Sequence, residues 1–146
     1  MKVLFDTSAL VTAVVDQLEN HPAALASYRR FAQPRRGQSQ AACSTHALAE
    51  CYATLTALPL ARRIQPAEAT RLIEDNFLND LEVVPLSVAD YKSALARVAS
   101  TGLRSGVVYD ALHVRCAERS GCERIITYNI ADFERLVPPG IEVVTP

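Results

Sequence analysis

Lys2-Val3-Leu4-Phe5-Asp6-Thr7-Ser8 is a short apolar run that ends on a carboxylate followed by two hydroxyls. A run of this length and composition reads as a buried strand, with a turn at Asp6 and a first short helix over residues 8–15. The pattern recurs along the chain. Residues 41–44 suit a short strand, residues 82–86 another interrupted by Pro85, residues 124–127 a fourth, and residues 141–144 a last one after the Pro138-Pro139-Gly140 turn. Helical patterns fill the gaps. Asn20 and Pro22 supply an N-cap and first-turn proline ahead of Leu25, Tyr28 and Phe31 on one face. Residues 33–40, with Pro34 and Gly37, read as a loop. Thr45 is placed to cap a helix whose stripe is Leu48, Cys51, Tyr52, Leu55 and Leu58, stopped at Pro59. Pro66 opens the next helix, with Ala69, Leu72, Ile73 and Phe77 on one face. Ser87 and Asp90 resemble a capping box before Val88, Tyr91, Leu95 and Val98, and that helix runs to Gly102. Residues 107–120 form a helix ended by Gly121, and a further short helix follows Thr127. Strands alternating with helices imply an α/β sandwich with a largely parallel sheet. No repeat or linker interrupts it, so one domain is expected over residues 1–146.

The chain has 146 residues, nearly half of them apolar, and a net charge of −1. That is a folded globular composition, and it excludes a basic protein that coats DNA. Arginine dominates the cations, in the doublets Arg29–Arg30, Arg35–Arg36 and Arg62–Arg63. Arginine is the better fork for phosphate, although each doublet also reads as solvated surface. Cys43, Cys51, Cys116 and Cys122 form no CxxC pair and sit among apolar neighbours, which fits small buried hydrophobes rather than a disulfide framework. No apolar run is long enough to span a bilayer and no leader pattern is present, so a soluble cytoplasmic protein is expected.

Three carboxylates stand alone. Asp6 is the one charged residue between Val3 and Val15, Glu50 between Ser39 and Ala61, and Asp110 between Ser105 and Val114. Burying such a group costs several kcal/mol unless a cation answers it, so either distant arginines or a metal ion must pair with them. Asp6 falls at the carboxyl end of the first strand, where open α/β sheets place their ligands. Glu50 lies roughly opposite its helix's apolar stripe, with His46, Ala53 and Ala57 as neighbours. Asp110 sits near a helix start, where a carboxylate is favoured by the dipole. Each has a plainer reading, a first-turn acid or a surface acid. The three together favour one site. Carboxylates without thiolates suit Mg²⁺ or Mn²⁺, and such a cluster is fitted to phosphodiester hydrolysis.

Asp6-Thr7-Ser8 after a strand, Glu50 in a mid-chain helix, Asp110-Ala-Leu-His113 opening a late helix, and Thr127-x-Asn129-x-x-Asp132-Phe133 together resemble the PIN domain. The similarity runs over the whole chain and is greatest to the VapC-type ribonuclease toxins of bacterial toxin–antitoxin pairs. The resemblance implies a PIN-like three-layer sandwich, a largely parallel sheet flanked by helices, with an acidic pocket at one edge. It implies metal ligation by Asp6, Glu50 and Asp110, and a fourth acidic place at Asn129 or near Asp132. Many relatives carry Asp where Asn129 stands. Ser8 and Thr127 would be supporting hydroxyls. It further implies RNA cleavage with Mg²⁺ or Mn²⁺, a homodimer, and a cognate antitoxin.

His113 shares a helix face with Asp110 and His46 precedes Glu50 by one turn, so either reads as a packed histidine or as a partner of the site; His21 reads as ordinary surface. Rival functions are weaker in the residues. A phosphoryl-accepting domain built on Asp6 needs a late lysine or a second acid at position 8, and Ser8 stands there. A non-catalytic RNA- or protein-binding relative, or a housekeeping RNA-processing nuclease, remains an alternative to the toxin.

Overall fold

The computed structural model describes residues 1–32 and 40–146. The expected loop lies outside the described residues, except for Gln40. Five strands form one parallel sheet in the order β3-β2-β1-β4-β5: β1 is Val3–Phe5, β2 Ala41–Ser44, β3 Glu82–Val84, β4 Arg124–Ile126 and β5 Glu142–Val144. The helices are α1 Thr7–Val14, α2 His21–Ala32, α3 Thr45–Ala57, α4 Pro66–Leu72, α5 Val88–Thr101, α6 Val107–Ser120 and α7 Ile130–Glu134. A wider π turn, Ile73–Leu78, continues α4.

Successive strand residues face opposite ways, and in β1 both faces are covered. Val3 and Phe5 pack with Ala41, Cys43 and Ile126 against α1 to α4, whereas Leu4 packs with Ala42, Val84 and Ile125 against α5 to α7. This gives three layers, helix, sheet, helix. Register is direct: Val3, Leu4 and Phe5 pair with Arg124, Ile125 and Ile126, and Val3 with Ala41 on the other side. All four cysteines are buried and free.

Several local expectations shift. The cap of α3 is Ser44, whose hydroxyl accepts Ala47 N at 3.1 Å, and not Thr45. The last strand residue, with its extended backbone, is the one whose side chain can turn back onto the helix. His21 starts α2 and Pro22 is second; His21 is half-buried, its Nδ1 at 2.9 Å from the Thr12 carbonyl, and so ties α2 to α1. β3 stops at Val84 because Pro85 has no N–H to give the ladder. The capping box of α5 is present, but this helix turns Asp90, Ala94 and Val98 inward and leaves Val88, Tyr91 and Leu95 exposed. Asp90 is the reason. Its carboxylate accepts from Ser87, Arg115 and Arg119, which pin α5 to α6. Burial alone would raise its pKa, but these bonds hold it well below the usual carboxylate range. The helix so fixed, α6, carries Asp110 and His113. Among the described residues no helix is long and apolar enough to cross a membrane.

Candidate active site

The chain runs outward from β1 through β2 to β3, then returns to β4 on the other side of β1. Ligands of open parallel sheets bind at that reversal, beyond the carboxyl ends of the strands. Asp6 follows β1 and Thr127 follows β4, so both stand there. Asp6 caps α1: its Oδ2 accepts from Ser8 N at 3.3 Å, Ser8 Oγ at 2.8 Å and Thr127 Oγ1 at 2.8 Å. Ser8 Oγ accepts Tyr128 N at 3.0 Å and Thr127 Oγ1 accepts Asn129 N at 2.9 Å. Two hydroxyls thus tie one oxygen of Asp6 to the turn between β4 and α7.

Glu50 does not stand opposite a buried stripe. The inward residues of α3 are Ala47, Cys51 and Leu55, four apart, and Tyr52 is exposed. Glu50 therefore flanks that stripe, and its Oε1 lies 2.7 Å from His113 Nε2 and 3.4 Å from His46 Nε2. His113 is completely buried, with Nδ1 at 3.0 Å from Ser44 Oγ and Nε2 also 3.7 Å from Asp6 Oδ1. Burial pushes its pKa down, but the Glu50 hydrogen bond and the charges of Asp6, Glu50 and Asp110 outweigh this and raise it. Burial pushes Glu50 up, and the two histidines bring it below its ordinary value. Asp6 and Glu50 are thus answered by an imidazole. Among the described arginine doublets, Arg30 lies over Phe31 and Arg62 pairs with Glu68, both away from the site; Arg35–Arg36 is outside the described residues.

Asp110 enters from the first turn of α6. Asn129 Nδ2 donates to Asp110 Oδ2 at 3.2 Å and to Asp132 Oδ2 at 2.9 Å, and Arg135 pairs with the other Asp132 oxygen. Burial, then the charges of Asp6, Asp132 and Glu50, push Asp110 up to about 7 against the opposing pull of His113. Asp132 is held below its ordinary value by Asn129 and Arg135.

The raised pKa of Asp110 has a consequence for stability. Its ordinary value is 3.8 and its folded value about 7, so the folded chain binds more protons between them. Stability then falls as pH rises through that window, and the loss is complete above about 7. Asp110→Asn removes the charge and keeps the shape. In metal-free buffer the variant should melt above the parent at pH 8 and lose that advantage at pH 4. Equal melting at pH 8 would mean that neither burial nor the neighbouring carboxylates disfavour the Asp110 charge.

The residues meet the chemical demand of a hard divalent cation in one respect and leave a geometric step in another. Asp6 Oδ1 and Asp110 Oδ1 accept no hydrogen bond from a described residue, so these two carboxylates keep an oxygen for a ligand. The buried Thr7 hydroxyl lacks a well-formed hydrogen bond, and its nearness to Glu50 helps keep that carboxylate ionised. Yet among the described residues no group of three or more His, Cys, Asp or Glu side chains is already disposed to hold a metal ion. The donor set fits such a cation, and side-chain rotation would have to close it.

The fold brings Asp6, Ser8, Glu50, Asp110, His113, Thr127, Asn129 and Asp132 to one place. Sequence reading missed Ser44, although a hydroxyl at the end of β2, next to a helix start, was a signal comparable to Asp6. It also missed Arg135, for which a lone surface arginine gives no signal.

A doubly covered parallel sheet with carboxylates gathered at its reversal point defines an α/β protein with an acidic candidate site. The PIN domain family model matches residues 3–137, and the chain belongs to that family. Ribonuclease VapC27 of Mycobacterium tuberculosis is 34% identical over 107 residues, 73% of this chain and 70% of that protein. Crystal structures share the fold. VapC20 of Mycobacterium tuberculosis, described as a sarcin–ricin loop cleaving toxin, superposes with a TM-score of 0.71 at 16% identity, over 91% of this chain and 93% of that one. VapBC2 of Rickettsia felis, bound to a DNA fragment from its promoter, gives 0.65 at 19%, over 98% and 97%.

Proposed function

We propose that this chain is a metal-dependent endoribonuclease, the toxin of a toxin–antitoxin pair, with its whole site in one domain over residues 1–146. The observation that supports this most is the convergence of Asp6, Glu50 and Asp110, with Asp132 close by, joined through His113 and Asn129. Such crowding is a standing demand for a cation. Membership of the PIN family and the similarity to a VapC ribonuclease support RNA as substrate and an antitoxin as partner. A homodimer is part of the same reading.

Asp6, Glu50 and Asp110 would hold Mg²⁺ or Mn²⁺. The bound ion supplies a Lewis acid for the phosphate and lowers the pKa of a water. The chain's own residues prepare the site. Ser8 and Thr127 fix Asp6 through Oδ2, and Oδ1 stands 3.7 Å from His113 Nε2. His113 holds Glu50 from within the core, and Ser44 holds His113. Asn129 spaces Asp110 from Asp132 with a neutral amide.

Cleavage of a mixed RNA pool by the purified chain tests the reading. Cutting with Mn²⁺ and none with EDTA supports it, and a folded protein that neither binds Mn²⁺ nor cuts would favour a non-catalytic RNA-binding relative. Asn129→Asp supplies a further carboxylate between Asp110 and Asp132, so it should add a second, weaker Mn²⁺ in calorimetry. Equal stoichiometry in both forms would mean that the position does not govern ion number.

A further inference from the structure

Four rings run in a row from the surface into the site. Tyr109 stacks on His46 with centroids 5.0 Å apart and planes 16° apart. His46 stands 6.1 Å from His113, and His113 lies 6.4 Å from Phe133 at 26°. His113 and Phe133 are fully buried, whereas Tyr109 is 47% exposed. The outer two rings stand on the same two helices as Glu50 and Asp110. Tyr109 directly precedes Asp110 on α6, and His46 is one turn before Glu50 on α3. A cluster of carboxylates repels the phosphates of its own substrate, so affinity there must come in part from contacts that carry no charge. An exposed tyrosine, held flat by a ring behind it and adjoining the carboxylates, offers that contact.

We propose that Tyr109, backed by His46, is a stacking platform for a nucleobase of single-stranded RNA beside the phosphate to be cut. Tyr109 is then a positioning residue for substrate, and His46 keeps its ring plane. Stacking accepts any base, since every base has a π face. The platform therefore sets where the strand lies rather than which base is read. The inference rests on the nuclease reading for its account of the neighbouring phosphate.

The probe is a short single-stranded RNA carrying 2-aminopurine at successive positions, bound to the Asp6→Asn protein so that it stays intact. Stacking should quench the fluorophore at one position. Adding Tyr109→Ala should remove that quench and weaken binding about tenfold, and Tyr109→Phe should retain both. In the cleaving protein Tyr109→Ala should raise KM by a similar factor with kcat nearly unchanged. Unaltered quench and KM in Tyr109→Ala would overturn the platform while Mn²⁺-dependent cutting upholds the nuclease. A Tyr109-dependent quench in a protein that never cuts would overturn the nuclease reading and keep the platform. Absence of RNA binding, or a dimer that Tyr109→Ala converts to monomer, would overturn it by making the ring inert or a protein contact.

Discussion

Asp6→Asn should lower RNA cleavage by more than about 100-fold, the upper range for losing a mere supporting partner of a metal ligand, while the chain stays folded. Asparagine caps a helix as well as aspartate does. Its amide oxygen can also still accept from Ser8 and Thr127, as Asp6 Oδ2 does. What disappears is one negative charge and one anionic oxygen. The same change removes the largest charge acting on Asp110, whose pKa should fall from about 7 toward the ordinary carboxylate range. Carboxyl NMR titration reads this without reference to activity. Full activity in Asp6→Asn would refute metal ligation by this residue. An Asp110 titration that stays near 7 would refute the electrostatic account of the site.

The second large effect is on stability. His113→Ala empties a fully buried position and leaves Glu50 and Asp6 without the cation that faces them. Breaking a fully buried pair costs about 3–5 kcal/mol, and the partial exposure of Glu50 reduces this to roughly 2–4 kcal/mol. For a chain of this size that is a fall of roughly 5–15 °C in melting temperature. The pH dependence identifies the cause. His113 has a raised pKa when folded, so its contribution is complete below its unfolded value of about 6.5 and is lost as pH rises through the folded value. Glu50 has a lowered pKa, so its share is present above its unfolded value and is lost as pH falls through the folded one. The gap between parent and variant should therefore be widest near pH 6 and narrow in alkali. A gap that does not vary with pH would mean that His113 acts by packing alone. Adding Glu50→Gln to His113→Ala should recover part of the loss, since the orphaned charge is then gone.

Periodicity and turn chemistry are local, and they carried most of the architecture. Apolar runs near residues 3, 41, 83, 125 and 143 became the five strands, and Gly102 and Gly121 ended α5 and α6 in the left-handed conformation that glycine tolerates. The isolation of Asp6, Glu50 and Asp110 in uncharged stretches was equally visible. A carboxylate with no local cation must find its partner at a distance, so isolation marks the residue without naming what answers it. The facing of α5 was not legible. Val88, Tyr91 and Leu95 are apolar and exposed, whereas Asp90 is charged and buried. The decisive partners, Arg115 and Arg119, come from another helix.

The sequence by itself determined an alternating α/β chain, the approximate bounds of its elements, and the isolation of Asp6, Glu50 and Asp110 in uncharged stretches. Only the tertiary structure decided that His113 stands between Glu50 and Ser44, that Asn129 joins Asp110 to Asp132, and that Tyr109 leans on His46. Apart from Asn129 and Asp132, three residues apart, these contacts join residues distant in the chain. Strand order and helix rotation bring them together, and a periodic pattern holds no information on either.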